Sequence, residues 1–345
     1  MLTRCLPARA TAVLGASLLL AACQDLEVEN VNQPDRELAL EREDDVRLLG
    51  QKAWTAYYQR TSGNPNPNFV IMNQTREATS TVGNNMAWPL GSAEPRERMV
   101  NDPVSDDHTP VRWAWSDVYE DYSSANEVLW AIHEEGMTFE EDGDNDEEVI
   151  DNTPKIRAFA HFQRGLNQGY ISKVFDQGYI IEYDDDLEDM GIYELVPWQD
   201  VQEHALGELA TTIEIAEQHD FTLPGHFPGD GEAGGYLYQR DLTSDELIDL
   251  AHTYKAILKA YGPRNPDEAD QVDWAQVLHH AEQGIQVDSF AARTGSDFLG
   301  RSDYRMRISG SGNWMGVSHW LLGPGDTLSS GCRNASWRTA RRRRS

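Results

Sequence analysis

At 345 residues, with 39% hydrophobic and 25% charged content, the chain is long enough to bury one substantial core or two smaller ones without covalent staples. Its formal net charge is −29, and once Arg4, Arg9 and the six arginines between Arg333 and Arg344 are set aside, acidic residues outnumber basic ones by more than two to one. Nucleic acid is thereby excluded as a partner, because binding it rests on phosphate neutralisation by clustered Lys and Arg. Anionic lipid surfaces are disfavoured too, and the acidity reads as solubility, with salt screening over about 10 Å or less relieving self-repulsion.

The first predicted element is a processing signal. Arg4 and Arg9 lead into the apolar run Thr11–Leu20, which suits a signal-peptide core and is too short to span a bilayer. Leu20-Ala21-Ala22-Cys23 closes that run with the small-residue pattern at which bacterial lipoproteins are cut and lipidated. Residues 1–22 are therefore expected to be removed and Cys23 to carry acyl chains, each buried methylene stabilising membrane attachment by roughly 0.8 kcal/mol. Gln24 stands where Asp would favour inner-membrane retention, so the expected location is the outer membrane. Cys5 falls in the leader and Cys332 in the tail, which leaves the mature body no disulfide to form.

Residues 23–34 read as an extended tether, with Asn30, Asn32 and Pro34, and a helical domain is expected over 35–327. From Asp35 to about Arg60, Leu38, Val46, Leu48, Leu49, Ala53, Trp54 and Tyr57 recur at helical spacing, predicting a short helix and then a longer one. Gly63, Pro65 and Pro67 end the run. Between Phe69 and Pro110 loop residues dominate, and only Ile71–Ser80 reads as helix. A strong amphipathic pattern over Arg112–Glu135 includes Trp115, Val118, Tyr119, Tyr122, Ala125 and Leu129, with Pro110 marking its start and Gly136 its end. Thr153 is expected to cap the next helix with Pro154 at its first position, and the pattern runs through Ile156, Phe159, Phe162 and Leu166 to Phe175. These two helices are expected to pack antiparallel.

Trp198–Gln218, Ser244–Tyr261 and Asp273–Ile285 supply three more helices, the last entered from an Asn-Pro turn. No strand alternation competes with them. The fold class is all-α, built from consecutive helical hairpins, with Ala125, Ala160, Gly165, Ala210, Ala256 and Ala281 expected where helices approach closely. The spacing is too irregular for a clean repeat period. Residues 328–345 break the trend: six arginines, no acidic residue and no periodicity, in a chain that uses Arg over Lys by 24 to 5. An arm for anionic surfaces is one reading, and a shift of reading frame in a GC-rich gene is the favoured one.

Several stretches in order resemble the SusD/RagB family of outer-membrane nutrient-binding lipoproteins. They are Leu26-Glu27-Val28-Glu29-Asn30 with Asn32, Gln33 and Pro34; Trp115, Tyr119, Ala125 and Asn126 in one helix; Arg157-Ala158-Phe159-Ala160-His161-Phe162 with Gly169-Tyr170 and Phe175-Asp176; and Val272-Asp273-Trp274 through Gly284-Ile285. The resemblance implies tetratricopeptide-like helices supporting an irregular ligand-binding part that caps a SusC-like TonB-dependent transporter. It stops after Leu321-Leu322-Gly323-Pro324-Gly325-Asp326, and family members usually run longer, so the C-terminal part of the ligand-binding region is expected to lie outside this sequence.

Catalytic patterns are lacking. His252, His279 and His280 form no His-Glu-x-x-His pair or Cys/His zinc pattern, and surface or capping roles are expected for the adjacent pair. There is no Gly-x-Ser-x-Gly elbow and no phosphate-cradling Gly-Lys-Ser/Thr loop. Asp142, Asp144 and Asp146 fail the helix-loop-helix calcium register, since the turn glycine would be Glu147 and the bidentate acid Thr153; this loop and Asp184-Asp185-Asp186 read as solvated. No metal, cofactor or enzymatic activity is expected. Sugar or peptide recognition asks instead for flat apolar faces beside amide and guanidinium donors. The loop Thr75–Arg98 meets that demand, and the resemblance places ligand contacts there, which nominates Arg76, Asn84, Asn85 and Trp88. Trp88 before Pro89 could equally plug the core. Trp314 and Trp320, flanked by Gly310, Gly312 and Gly316, rank second. The expected function is non-covalent capture of oligosaccharides or peptides for delivery to the transporter. The alternative is a structural helical-repeat lipoprotein that scaffolds envelope proteins, and a lipid-anchored hydrolase is a remote third.

Overall fold

The computed structural model describes residues 40–62, 71, 74–75, 78–80, 109–142, 149–185, 194–226, 236–238, 240–286 and 315–317. These form a predominantly helical structure with α1 (Glu43–Ser62), α2 (Thr109–His133), α3 (Thr153–Val174), α4 (Trp198–Gln218), α5 (Ser244–Tyr261), the single turn α6 (Pro266–Ala269) and α7 (Trp274–Gln283). Each long helix packs on the next, in the order α1, α2, α3, α4, α5 and α7, and α3 also reaches back to α1 and forward to α5. That is the neighbour-on-neighbour arrangement of a helical-hairpin array.

The helix starts follow from capping chemistry. Thr243 and Glu246 form a reciprocal capping box at α5, the Thr243 hydroxyl accepting from the Glu246 amide at 3.3 Å and Glu246 Oε2 from the Thr243 amide at 3.1 Å. Asp273 accepts the amides of Ala275 and Gln276, both at 3.1 Å, to start α7. Glu43, Asp44 and Asp45 place negative charge on the first turn of α1. At α3 the expected cap is overturned: Asn152 is the cap residue, and Thr153, the first helical residue, uses its hydroxyl to accept the amide of Phe139 at 3.0 Å. The hydroxyl is drawn away because Phe139 is fully buried and its amide needs a partner.

α3 is the centre of the core and is buried around its circumference: Ile156, Phe159, Phe162, Leu166 and Ile171 lie at 2% exposure or less, and so do Gln163, Arg164, Asn167 and Gln168. Close approach is bought with glycine at two positions. A Cβ on Gly165 would lie 2.7 Å from Leu209 Cγ and 3.1 Å from the Ala205 carbonyl of α4, and one on Gly169 would lie 2.8 Å from the Leu258 methyls of α5. Ala125, Ala160 and Ala256 are buried as expected of approach points. Ala210 and Ala281 are exposed instead, since they fall on the outer faces of α4 and α7.

One other expectation is corrected. The helix foreseen over Ile71–Ser80 does not run through: its last three residues are a strand, because a distant partner supplies their backbone hydrogen bonds. Among the described residues five short ladders also join the helices, and they leave the all-α fold class unchanged. They pair β1 (Ala78–Ser80) with β10 (Met315–Val317), β2 (Glu140–Asp142) with β3 (Val149–Asp151), β4 (Gln177–Gly178) with β5 (Val196–Pro197), β6 (Thr222–Leu223) with β9 (Leu242–Thr243), and β7 (Gly225–His226) with β8 (Leu237–Tyr238). Only the last of these is parallel. With two or three residues each they carry no alternation long enough to read. No helix among the described residues is long and apolar enough to cross a membrane.

Candidate functional site

Cys23 and the six nominated contact residues, Arg76, Asn84, Asn85, Trp88, Trp314 and Trp320, lie outside the described residues, as does the segment from Gly143 to Glu148. What is described beside them is two short strands. β1 begins two residues after Arg76 and β10 begins one residue after Trp314, and they pair antiparallel with Ala78 opposite Val317, Thr79 opposite Gly316 and Ser80 opposite Met315. The two nominated stretches, more than two hundred residues apart in sequence, therefore share one ladder.

The described residues hold a buried polar seam where α2, α3 and α4 meet the segment leading from β4. Tyr119 of α2 accepts the Tyr179 amide at 2.6 Å and donates to the Tyr179 carbonyl at 3.1 Å. Tyr122 and Asn126 donate to the Ile181 carbonyl at 2.7 and 2.9 Å, and Gln168 of α3 to the Tyr179 carbonyl at 3.0 Å. The segment has no sheet partner here among the described residues, and side chains satisfy its backbone. This gives the Trp115, Tyr119 and Asn126 spacing a physical reason: the three lie on one face of α2, with Trp115 packed edge-on against Phe175 at 4.9 Å between ring centres.

Next to this seam Arg164, whose side chain is 1% exposed, pairs with Glu182 and lies 3.2 Å from Glu208 and 3.2 Å from the Tyr122 hydroxyl. His204 Nε2 donates to Glu182 at 3.0 Å, and His161 Nδ1 lies 2.7 Å from Glu208. The hydrogen bond from His204, with Arg164 adding to it against the cost of burial, pulls the Glu182 carboxyl down to about 2. Burial opposes charge on Arg164, but Tyr122, Glu208 and Glu182 outweigh it and hold the guanidinium protonated. Ligand atoms of Glu182, His204 and Glu208 fall within 4.8 Å of one another, the spacing of a metal set. The guanidinium already occupies both carboxylates, and a divalent cation beside a buried Arg would be repelled, so the donor set fits an ion-pair network and not a metal.

A hollow of about 280 Å3 opens where the start of α4, the end of α5, α6 and the start of α7 converge. Trp198 forms one wall. Its ring is held by Arg264, whose guanidinium lies 4.9 Å from the indole and also bonds the carbonyl of Ser172 at 2.8 Å, the carbonyl of Phe175 and the carboxylate of Asp176, closing the end of α3. Nearby, His252 of α5 and His280 of α7 meet with their Nδ1 atoms 2.9 Å apart. His280 is 7% exposed, which corrects the surface or capping role expected of it. Burial first, then Lys255, His252, His279 and Lys259, push its imidazole down to about 4. In the acidic turn at Asp184, Asp185 accepts the Glu182 amide at 2.8 Å, a local cap that fixes Glu182.

Sequence reasoning passed over Arg164, Glu182 and Glu208. A signal existed in His204 and Glu208, four residues apart on one predicted helix face; Glu182, in a loop, offered none.

No family model and no curated protein matches the chain. Three solved structures are similar to it. A SusD/RagB family protein from Bacteroides thetaiotaomicron shares 17% identity and a TM-score of 0.51 over 81% of this chain and 52% of that one. A SusD superfamily protein from Bacteroides vulgatus gives 10% identity and a TM-score of 0.45, covering 70% and 43%. A SusD-like carbohydrate binding protein from Bacteroides fragilis gives 14% identity and 0.41, covering 71% and 41%. The first of these shows that the described helices adopt a SusD/RagB-like fold. The chain spans about half the length of the solved structures it matches.

Proposed function

We propose that this chain is a lipid-anchored, outer-membrane binding protein that captures oligosaccharide or peptide nutrients without catalysis and passes them to a SusC-like TonB-dependent transporter. The observation that carries the reading is the SusD/RagB-like helical fold, extending over 81% of the chain behind a Leu-Ala-Ala-Cys lipidation pattern. The ligand contacts in this reading are Arg76, Asn84, Asn85 and Trp88, joined by Trp314 and Trp320. In support, the strands adjoining Arg76 and Trp314 pair with each other. An indole stacks on the C–H face of a pyranose while amide and guanidinium groups satisfy its hydroxyls. Cys23 supplies the anchor.

Calorimetry across a panel of glycans and peptides tests capture. Binding by the full chain that weakens at least tenfold in Trp88→Ala supports it, and the absence of any ligand favours the envelope scaffold. Incorporation of labelled palmitate that is lost in Cys23→Ser tests the anchor. Co-purification of a TonB-dependent barrel from detergent-solubilised membranes tests the partner.

A further inference from the structure

The hollow between α4, α5, α6 and α7 contains none of the residues assigned to nutrient capture, and its own chemistry singles out a ligand. Its apolar lining comes from Leu206, Pro263 and Val272. Its polar groups fall into two sets. The Lys259 ammonium and the Gln199 amide make no hydrogen bond or ion pair with the described residues. Asp273 spends Oδ1 on the amides of Ala275 and Gln276, which leaves Oδ2. Gln202 and Gln271 donate through Nε2 to the carbonyls of Leu258 and Asp267, which leaves their amide oxygens as acceptors. Glu268 spends both carboxylate oxygens, Oε2 on the Arg264 amide and Oε1 on the Asn265 side chain. A cation and an anion with a free oxygen thus share one hollow without neutralising each other, in a chain where acidic partners for a lysine are plentiful.

That separation discriminates among ligand classes. A lone anion meets Asp273 and Glu268, and a lone cation meets Lys259. A neutral polyol satisfies hydrogen bonds but leaves both charges unpaired. A small molecule with both charges on one carbon answers each group left open: its carboxylate takes Lys259 and the Gln199 amide, and its ammonium, with three N–H donors, takes Asp273 Oδ2 and the two glutamine oxygens. Gly262 protects this wall. Its φ of −68° suits any residue, yet a Cβ there would lie 2.4 Å from Gln202 Nε2, which the Leu258 carbonyl holds at 2.9 Å. We propose that the hollow binds a free α-amino acid with a short aliphatic side chain, held by Lys259 at the carboxylate and by Asp273 at the ammonium.

Titration of the full chain with L-leucine, 3-methylbutan-1-amine, 4-methylpentanoate and glucose, read by calorimetry and by saturation-transfer NMR, tests this. Leucine is expected to bind at least tenfold more tightly than either analogue lacking one charge, and glucose is expected not to displace it. Lys259→Met and, separately, Gln199→Ala are expected to weaken leucine at least tenfold and threefold. Equal binding of leucine and both analogues, binding of glucose in its place, no binding of leucine, or leucine binding unchanged in Gln199→Ala overturns the proposal. Should Lys259→Met not fold, the ligand comparison and Gln199→Ala still decide. Failure here leaves the nutrient-capture reading intact, because the Trp88→Ala experiment reads different residues.

Discussion

Arg164 pairs with Glu182 on one side and Glu208 on the other while its own side chain is 1% exposed, so removing it takes a permanent cation from both carboxylates and leaves them the imidazoles of His204 and His161. Breaking the Arg164–Glu208 pair, buried at both ends, from one side costs about 3–5 kcal/mol, while solvent screens the half-exposed Glu182 and discounts its share; Arg164→Met is expected to lower the unfolding free energy at pH 7 by about 3–5 kcal/mol, measured by guanidinium denaturation. The deficit should shrink in acid. Glu182 has a folded-state pKa depressed to about 2, so its contribution is full above the ordinary carboxyl value of 4.5 and is lost as pH falls through about 2; below that window the wild type loses what the variant already lacks. Glycine gives a paired test. Gly165→Ala forces a methyl against Leu209 and the Ala205 carbonyl and is expected to cost about 1–3 kcal/mol, whereas Gly207→Ala meets nothing within 4 Å and is expected to stabilise α4 by up to about 1 kcal/mol. Gln163, 1% exposed, has neither amide atom hydrogen-bonded; Gln163→Met is expected to raise the midpoint, since an unsatisfied buried polar group costs about 1–3 kcal/mol. Phe159, Phe162 and Leu166 were legible from their spacing, but Arg164 and Gln163 interrupt that spacing, and a partner such as Glu182 leaves no trace in a local window.

At the scale of elements, α4 and α5 match the expected bounds at both ends, because each has a periodic apolar face, and α5 a capping box besides. α2 begins at Thr109, three residues before its apolar pattern, since Pro110 suits a first turn as well as the position before one. β1 was read as helix because three residues, Ala-Thr-Ser, carry no preference able to compete with a distant pairing. The α5–α7 contact also responds to pH. His252 and His280 have ring centres 5.2 Å apart with facing Nδ1 atoms 2.9 Å apart, so the rings meet head-on and one Nδ1–H donates to the other. A first proton on the donor ring keeps that bond; a second proton abolishes the acceptor. The groups acting on the pair are Lys255 and Lys259 of α5, His279 of α7 and, opposing them on His252, Glu217 of α4. Both imidazoles are depressed, so their contribution to docking is full above about 6.5 and declines as pH falls toward about 4. Fluorescence of Trp274 is expected to change across that interval in the wild type and to change less in His280→Leu.

Taken together, the described residues form a helical array in which helices follow one another in space as they do in sequence. This is why the architecture was legible: neighbouring helices with matching apolar faces need no long-range information to find each other. The candidate contact region was legible only as chemistry, from aromatic and amide residues without periodicity, while the hollow beside Trp198 draws on four elements and could not be assembled from a linear reading. The net charge of −29 imposes self-repulsion on the compact state. Raising sodium chloride from about 0.05 M to about 0.5 M shortens the screening length severalfold and is expected to raise the thermal midpoint, with sucrose of equal osmolality as the control.

The grip of Tyr119 on Tyr179 has a kinetic corollary. An amide in an irregular connection normally trades its hydrogen for deuterium quickly, but this one is held by a hydroxyl 60 residues away, on a helix that must itself detach before the bond can open. Tyr179 should therefore exchange as slowly as the middle of α3, which makes it a single-residue clock for concerted opening of the bundle.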